Sequence, residues 1–331
     1  MKLSGCLVIL LSLTFLTACS GDTYRTAADA TAPVIGLLSE DGTMYDEQPP
    51  ALNVVVTFNA LYEFASVVGG ERVSVSQIIP DGADAHHFEP VARDLAALQY
   101  ADIFIMNGLG FEPWAQHAID AAGHDGLVII DVSAHIDPIA VSNDCHGCSG
   151  DNRGAYDPHI WLSLGYAGTI AREITVAFID ADIDGWGYYE KNLSQFLYDL
   201  YALYQEYHDR FSALEYRTIV TSHAVFAYLC REFGLYQRSI KGIFSEGEPS
   251  ARALADLVEF CRENNITVVL TEYLKSPLIA ETLANEIDGT VKTIYTIESA
   301  EAGLSFIERM AINLAVIYES LSAAASKLYH H

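Results

Sequence analysis

Three histidines, His86, His159 and His223, stand where metal chemistry could take place. Imidazole nitrogen is a preferred ligand of zinc and its first-row neighbours, and three imidazoles with one carboxylate make a reasonable tetrahedral site. The candidate carboxylates are Glu298 and Glu272, and each follows a run of strand-forming residues. A single histidine is more often an ordinary polar residue, so it is the shared placement of all three after predicted strands that indicates a site. Ligands bind beyond the carboxyl ends of parallel strands, and we therefore expect one cleft that holds a divalent transition metal.

The elements that would position these side chains alternate between strand and helix from Leu52 onward. This βα alternation predicts parallel sheets covered by helices on both faces. The predicted strands span residues 53–58, 73–79, 102–106, 127–130, 218–221, 266–270 and 291–297. The predicted helices span 60–68, 91–100, 113–122, 163–178, 224–233, 251–263, 277–287 and 304–324.

One long helix is predicted between the two βα series, because residues 187–214 contain no proline and repeat apolar residues at helical spacing. About 280 residues follow the N-terminal region, more than a single core usually organises. We therefore predict an α/β fold of two lobes, each with a parallel β-sheet flanked by helices, joined by one long rigid helix. The expected boundaries are 51–185 for the N-terminal metal-binding lobe, 186–215 for the linking helix and 216–328 for the C-terminal metal-binding lobe.

The N-terminal region has the pattern of an export signal. Its apolar run is too short for a membrane-spanning helix, and Leu16-Thr17-Ala18-Cys19 resembles a bacterial lipobox. Residues 1–18 are thus expected to be a lipoprotein signal peptide, and Cys19 the lipid-carrying first residue of the mature chain. An ordinary cleaved signal is the alternative. Residues 19–50 are polar and without period, which is typical of a flexible tether.

Charge limits the classes of partner. The chain has 44 acidic and 18 basic residues and a net charge of -26. Such a chain is unsuited to nucleic acid or to anionic lipid headgroups, whereas its field favours cations. We therefore expect no nucleic-acid partner.

The cysteines leave several possibilities open. In an exported chain Cys230 and Cys261 could pair as a disulfide within the second lobe. A long irregular stretch, residues 132–157, contains Cys145-His146-Gly147-Cys148, which could form a small disulfide or bind a second zinc ion weakly. The remaining histidines that we interpret as surface or terminal residues without a role are His124, His135, His208, His330 and His331.

Three segments carry a family resemblance: Gly82–Pro90, Asp157–Leu162 and Thr221–Leu229. They resemble, in order and in spacing, the signature segments of the zinc and manganese solute-binding proteins of ABC importers, the cluster A-I family. The resemblance covers nearly all of residues 52–325.

The resemblance implies a role for each matching residue. His86, His159 and His223 would be the first three metal ligands, and a histidine at the third place is typical of zinc carriers, whereas manganese relatives tend to have glutamate there. Glu298 lies closest to the acidic residue that the family places after the last strand. Glu272 is the runner-up, with a helix cap as its expected structural role. The adjacent His87 is interpreted as a neighbour of the site.

The function that follows is that of an extracytoplasmic carrier, lipid-anchored and not an enzyme. It would capture zinc, or less favourably manganese, between the lobes and present it to the membrane permease of an ABC importer. Two rivals share the histidines: a metal-dependent hydrolase, and a surface adhesin with a structural metal. The hydrolase lacks support, because no His-Glu-x-x-His, Gly-x-Ser-x-Gly or phosphate-binding loop is present in the sequence.

Overall fold

The protein is described here from a computed structural model, which covers residues 50–141, 155–243 and 249–328. Its first lobe contains a sheet of four parallel strands in the order β2-β1-β3-β4. Helices lie between and beside these strands, as the alternating sequence pattern predicts. The elements in chain order are β1 (Leu52–Val56), α1 (Asn59–Gly69), β2 (Val73–Gln77), β3 (Ile103–Met106), α2 (Ala115–Ala122), β4 (Val128–Asp131) and α3 (Leu164–Ala181).

The long linking helix is confirmed as α4 (Trp186–Ser212). One face of this helix is buried by apolar residues at helical spacing, which packs it against α1 and α3 of the first lobe. Its C-terminal end packs against the second lobe, where the Phe211 ring lies 5.3 Å from the Phe233 ring and 6.0 Å from the Tyr318 ring. The helix is therefore held along its length by both lobes and is not a free hinge.

The second lobe repeats the strand order of the first, since its four parallel strands run β6-β5-β7-β8. Ser250 caps helix α6 by accepting a hydrogen bond from the Ala253 N–H at 3.1 Å. Gly234 ends helix α5 in the left-handed conformation, with φ of 66°, as the sequence predicts. The elements are β5 (Thr218–His223), α5 (Ala227–Phe233), β6 (Tyr236–Lys241), α6 (Ala251–Glu263), β7 (Val268–Glu272), α7 (Leu278–Glu286), β8 (Thr290–Ile294) and α8 (Phe306–Leu328).

One apolar core continues through both lobes. Phe64 of the first lobe meets Phe306 at the start of α8 with ring centroids 4.8 Å apart. Nearby, the Trp161 indole N–H donates to the Thr296 carbonyl at 2.8 Å. A second, smaller apolar cluster lies under α6 and α7 only. The interface between the lobes is therefore part of the main core.

A buried arginine adds polar contacts across the same interface. Arg309 of α8 donates to Asn59 Oδ1 of the first lobe at 3.1 Å and also pairs with Glu63 of that lobe. On its own lobe it donates to the Ser299 carbonyl at 2.7 Å. A buried cation with several partners resists separation, because parting them would leave a charge without compensation.

Two predicted elements differ from the structure. The predicted helix at 91–100 is only a 3-10 turn, Ala96–Tyr100, in which Leu98 is the one buried side chain. Strand β6 was not predicted, since its residues are mostly polar and it lies at the edge of its sheet. Edge strands need only one neighbour and tolerate such polar composition.

The expected disulfide between Cys230 and Cys261 is wrong. Both are buried free thiols, and burial raises the pKa of each. Cys230 belongs to the main core and Cys261 to the smaller cluster under α6 and α7, so the two side chains pack in different places. Cys145 and Cys148 lie outside the described residues.

The export signal, Cys19 and the tether also lie outside the described residues. Within the part of the chain that the structure covers, no helix combines the length and the apolar character needed to cross a bilayer.

Candidate metal centre

His86 lies on a loop after β2, in the short 3-10 turn Ala85–His87. The Asp84 side chain fixes this turn, because its Oδ1 accepts a hydrogen bond from the His86 backbone N–H at 3.1 Å. The imidazole is buried, and the ring of Phe111 meets it edge-on at a centroid distance of 5.3 Å. The loop and the aromatic ring together set where His86 points.

His159 is fully buried and is held by Asp157, two residues before it. Asp157 Oδ1 lies 2.9 Å from the His159 backbone nitrogen and 2.7 Å from its Nδ1. A carboxylate that accepts from Nδ1 leaves Nε2 as the nitrogen with a free lone pair, an arrangement common behind metal-bound histidines. The Asp157 carbonyl in turn accepts from the Tyr228 hydroxyl at 2.6 Å, which ties this loop to α5 of the second lobe.

His223 is the last residue of β5 and not, as expected, the residue after the strand. Its Nε2 lies 2.5 Å from the Ile243 carbonyl. A carbonyl can only accept, so Nε2 carries a proton, and in the neutral imidazole Nδ1 keeps the lone pair. The rings of His86 and His159 lie at centroid distances of 5.5 and 5.4 Å from that of His223.

The three imidazoles converge, as their sequence placement predicts. One ring nitrogen from each lies within 4.8 Å of the corresponding atoms of the other two. His86 Nε2 and His159 Nε2 are 3.1 Å apart. Zinc–nitrogen bonds of about 2.0–2.1 Å in tetrahedral geometry separate two ligand atoms by about 3.3 Å. The first two histidines thus already have the spacing that a zinc ion requires.

Two buried carboxylates complete the surroundings on the second-lobe side. Glu298 Oε1 lies 3.9 Å from His86 Nε2, and Glu272 Oε1 lies 3.5 Å from His223 Nδ1. Within the described ranges, Glu298 Oε1 and Glu272 Oε2 have no hydrogen-bond donor. Buried carboxylate oxygens are normally satisfied, so both are suited to a cation. Glu272 does not cap α7 as expected. It is the last residue of β7 and accepts from Ser222 Oγ at 3.3 Å.

Burial and neighbouring charges divide the histidines into two kinds. Burial, and then His159 and His223, lower the pKa of His86 well below its usual value, and burial lowers the pKa of His159 in the same way. Burial also acts to lower the pKa of His223, but Glu272 and Glu298 outweigh it and the net shift is upward.

The carboxylates shift in opposite directions. Burial acts to raise the pKa of Glu272, but the contact with His223 dominates and lowers it. Burial, followed by repulsion from Glu272, raises the pKa of Glu298 to about 7. His223, Glu272 and Glu298 therefore form a coupled set that shares protons when no metal is bound.

Within the described residues, the cluster of metal-binding groups contains no histidine besides His86, His159 and His223. His87 is exposed and contacts Asp84 Oδ1 at 3.3 Å. His124 is exposed, His135 pairs with Glu173, and His208 contacts its neighbour Asp209. The interpretation of His124, His135 and His208 as surface groups is confirmed. His146 lies outside the described residues, as do His330 and His331.

A supporting network beneath the site was missed from the sequence. Glu112 is buried and accepts from Thr57 Oγ1 at 2.5 Å and from the Asn107 N–H at 2.8 Å. Asn107 donates in turn to the Pro158 carbonyl, 2.9 Å away and next to His159. Burial raises the pKa of Glu112 to about 7. Thr57 and Asn107 directly follow β1 and β3, so the rule that directed us to strand ends could have found them.

Comparison with known proteins agrees with this geometry. The profile of one protein family, ZnuA, described as zinc-uptake complex component A, periplasmic, matches residues 54–320. The high-affinity zinc uptake system protein ZnuA of Bacillus subtilis (strain 168) is 30% identical over 329 residues, which are 97% of this chain and 98% of that protein. A protein of Treponema pallidum (strain Nichols) is 41% identical over 276 residues, 82% of this chain and 87% of its own length.

A solved structure extends the similarity to the fold. The laminin-binding protein Lmb of Streptococcus agalactiae, described as a bifunctional protein with adhesin and metal-transporting activity, has a TM-score of 0.73 and 30% identity. The match covers 82% of this chain and 99% of that one. The chain therefore belongs to the ZnuA family of zinc-uptake complex components, which are solute-binding proteins of transporters and not enzymes.

Proposed function

We propose that this protein captures one zinc ion between its lobes and delivers it to the membrane permease of an ABC importer. His86, His159, His223 and Glu298 would bind the ion. The observation that carries the proposal is the convergence of three buried imidazoles, with one ring nitrogen of each within 4.8 Å of the others. The name of the Bacillus subtilis relative, a zinc uptake protein, supports the same cargo.

Zinc is favoured over manganese by the donor set. Manganese prefers oxygen ligands, whereas three imidazoles and a single carboxylate suit zinc. The first two imidazoles are neutral at physiological pH, because the pKa values of His86 and His159 are lowered. Neutral imidazole is the form that binds metal, so these two need lose no proton.

Competitive titration tests this function. The metal-free protein is titrated with zinc and with manganese while metal content and stoichiometry are measured. We expect one zinc ion per chain and displacement of manganese by an equal concentration of zinc. Tighter binding of manganese, or the absence of stoichiometric zinc binding, would contradict the proposal.

The adhesin alternative has one specific observation in its favour, the similarity to Lmb. That protein is itself described as having metal-transporting activity, so adhesion and metal capture are compatible. Measuring the binding of the zinc-loaded and the metal-free protein to laminin distinguishes the metal carrier from the adhesin. Laminin binding in both states, together with zinc affinity too weak for capture, would favour the adhesin.

The proposal places the protein outside the cytoplasmic membrane, anchored by lipid on Cys19. The export pattern and lipobox resemblance of residues 16–19 support this placement. If the anchor is correct, Cys19→Ala moves the protein from the membrane fraction to the soluble fraction. Unchanged membrane association of this variant would contradict it.

A further inference from the structure

A small polar cavity lies beside the metal centre, between the two lobes. Its volume is about 40 Å³, enough for a few water molecules. Gly82 and Ala83 line it from the first lobe, and Glu272, Lys275 and Glu298 line it from the second. The cavity therefore connects the two buried carboxylates with the loop that leads to His86.

Among the residues that the structure describes, aromatic rings line the first-lobe side of the site. There, the rings of Phe111 and Trp161 stand at centroid distances of 5.3 Å from His86 and 5.2 Å from His159. Both rings are buried in the main core. A cation that still carries water needs polar groups along its path, and an apolar wall would force it to lose that water without compensation. The carboxylate-lined cavity is the better passage.

Three contacts between the lobes close this cavity. Lys275 Nζ lies 2.9 Å from Asp84 Oδ2, the Gly82 N–H donates to Ser299 Oγ at 3.0 Å, and the Ala300 N–H donates to Asp81 Oδ1 at 2.8 Å. On the first lobe, all three partners lie within four residues of one another on the loop that ends at His86. These contacts are partly exposed, in contrast to the buried interface behind them.

That buried interface favours a local opening. Moving the lobes apart would break the packing of Phe64 on Phe306 and the burial of Arg309 among partners from both lobes. Moving the loop at 81–84 away from the second lobe would break the three contacts above and would leave the packing of Phe64 on Phe306 in place. A few partly exposed hydrogen bonds are much easier to open than a continuous core.

We propose that the metal enters and leaves through this cavity, and that the ion pair between Lys275 and Asp84 holds the passage closed. Lys275 is then a residue that controls the rate of exchange and does not itself bind the metal. This inference rests on the proposed function, since it concerns the exchange of the same ion.

The test uses the zinc-loaded protein mixed with excess EDTA, with release followed by stopped flow. Lys275→Gln and Asp84→Asn each remove the ion pair, and Asn at position 84 keeps the side-chain oxygen that accepts from the His86 N–H. We expect each variant to release zinc about two- to fivefold faster than the wild type, the scale of a partly exposed ion pair. The double variant should be no faster than either single variant, because both remove the same interaction.

Whether Lys275→Gln speeds or slows zinc release distinguishes the closing role of the ion pair from a simple electrostatic effect of the lysine. If Lys275 acted only through its positive charge, its removal would reduce repulsion of the cation and slow release, whereas removal of the Asp84 charge would speed it. Slower or unchanged release from Lys275→Gln therefore overturns the inference. Lys275→Arg keeps the charge and the pair, and should release zinc at the wild-type rate.

Lys292 provides a matched control. It lies on the same lobe, its side chain is 35% exposed like that of Lys275, and it pairs with Glu319 at 3.0 Å, away from the site. Lys292→Gln should leave the release rate unchanged. If the wild type binds no zinc, the proposed function fails and this inference with it. If all variants bind zinc stoichiometrically and release it at one rate, only the inference fails.

Discussion

The two halves of the metal centre differ in what surrounds their ligands. On the first lobe, His86 and His159 lie against aromatic rings of the core, and His159 donates a hydrogen bond to a carboxylate of its own loop. On the second lobe, His223 lies beside two carboxylates, Glu272 and Glu298. One half is apolar, and the other is charged and borders a polar cavity.

This difference separates two tasks. The apolar half lowers the pKa of its imidazoles and keeps them neutral, with their nitrogens already at the spacing of a zinc site. The charged half supplies the negative charge that offsets the cation and raises the pKa of His223. Substitutions in the first lobe should therefore disturb the arrangement of the zinc ligands most. Substitutions in the second lobe should most change how zinc affinity depends on pH.

The largest expected effect follows from removing a donor of the first lobe. His159→Ala should weaken zinc binding by more than about 100-fold, beyond the loss typical of groups that only support a ligand. His223→Ala should cost less, because Glu272 lies 3.5 Å from His223 and can take up part of its role. Competition with a zinc indicator of known affinity gives both values.

His135→Ala is the control for that comparison, since His135 is exposed and pairs with Glu173 far from the cluster. Its affinity for zinc should equal that of the wild type. A greater loss from His223→Ala than from His159→Ala would reverse the assignment of tasks to the two lobes.

A smaller effect should identify the fourth donor within the charged half. Glu298 Oε1 is buried and lies 3.9 Å from His86 Nε2, whereas Glu272 already accepts from Ser222 and contacts His223. We expect Glu298→Gln to weaken zinc binding by about tenfold or more, and Glu272→Gln by less. Isothermal titration of the two variants with zinc measures both losses of affinity. A greater loss in Glu272→Gln than in Glu298→Gln would make Glu272 the ligand.

The smallest effect, and the most specific to the charged half, concerns pH. His223 has a raised pKa and that of Glu298 is about 7, so both hold protons that zinc must displace as the pH falls below neutrality. Affinity should be constant above these pKa values and fall by up to about tenfold per pH unit for each proton displaced below them. His86 and His159 contribute nothing to this slope near pH 6.5, since their pKa values are lowered.

Zinc titrations at a series of pH values, in buffers of different ionisation enthalpy, count the displaced protons. One or two protons near pH 6.5 are expected. Constant affinity from pH 7.5 to 5.5 would show that the second lobe does not carry the response, and three protons would show that the first lobe also titrates.

The positions of the histidines could be predicted because they depend on a general rule. Side chains at the ends of parallel strands meet at one edge of the sheet, and this rule brings His86 and His223 together without any knowledge of packing, although β5 extends to include His223. The same rule named Glu272 as a candidate carboxylate, but its expected role as a helix cap was wrong. The predicted strand ended at residue 270 and β7 ends at Glu272, so a shift of two residues moves this carboxylate from a helix cap into the buried site.

Strand β6 and the network under the site show a second limit of sequence patterns. A polar edge strand such as β6 is defined by the neighbour that pairs with it, and its own residues carry little signal. Likewise, the role of Glu112 beneath the metal centre becomes visible only in the folded chain, where it contacts Thr57, 55 positions away in sequence. Long-range contacts of this kind are decided by tertiary packing and not by local pattern.

The core that runs without interruption from one lobe to the other has a thermodynamic consequence. The lobes share buried surface at Phe64, Trp161 and Phe306, so neither can lose its structure and leave the other intact. Unfolding of the main body is then a single cooperative event, and an ion bound between the lobes stabilises both of them at once. In an exported carrier, the cargo would thus also protect the folded state against heat and proteolysis.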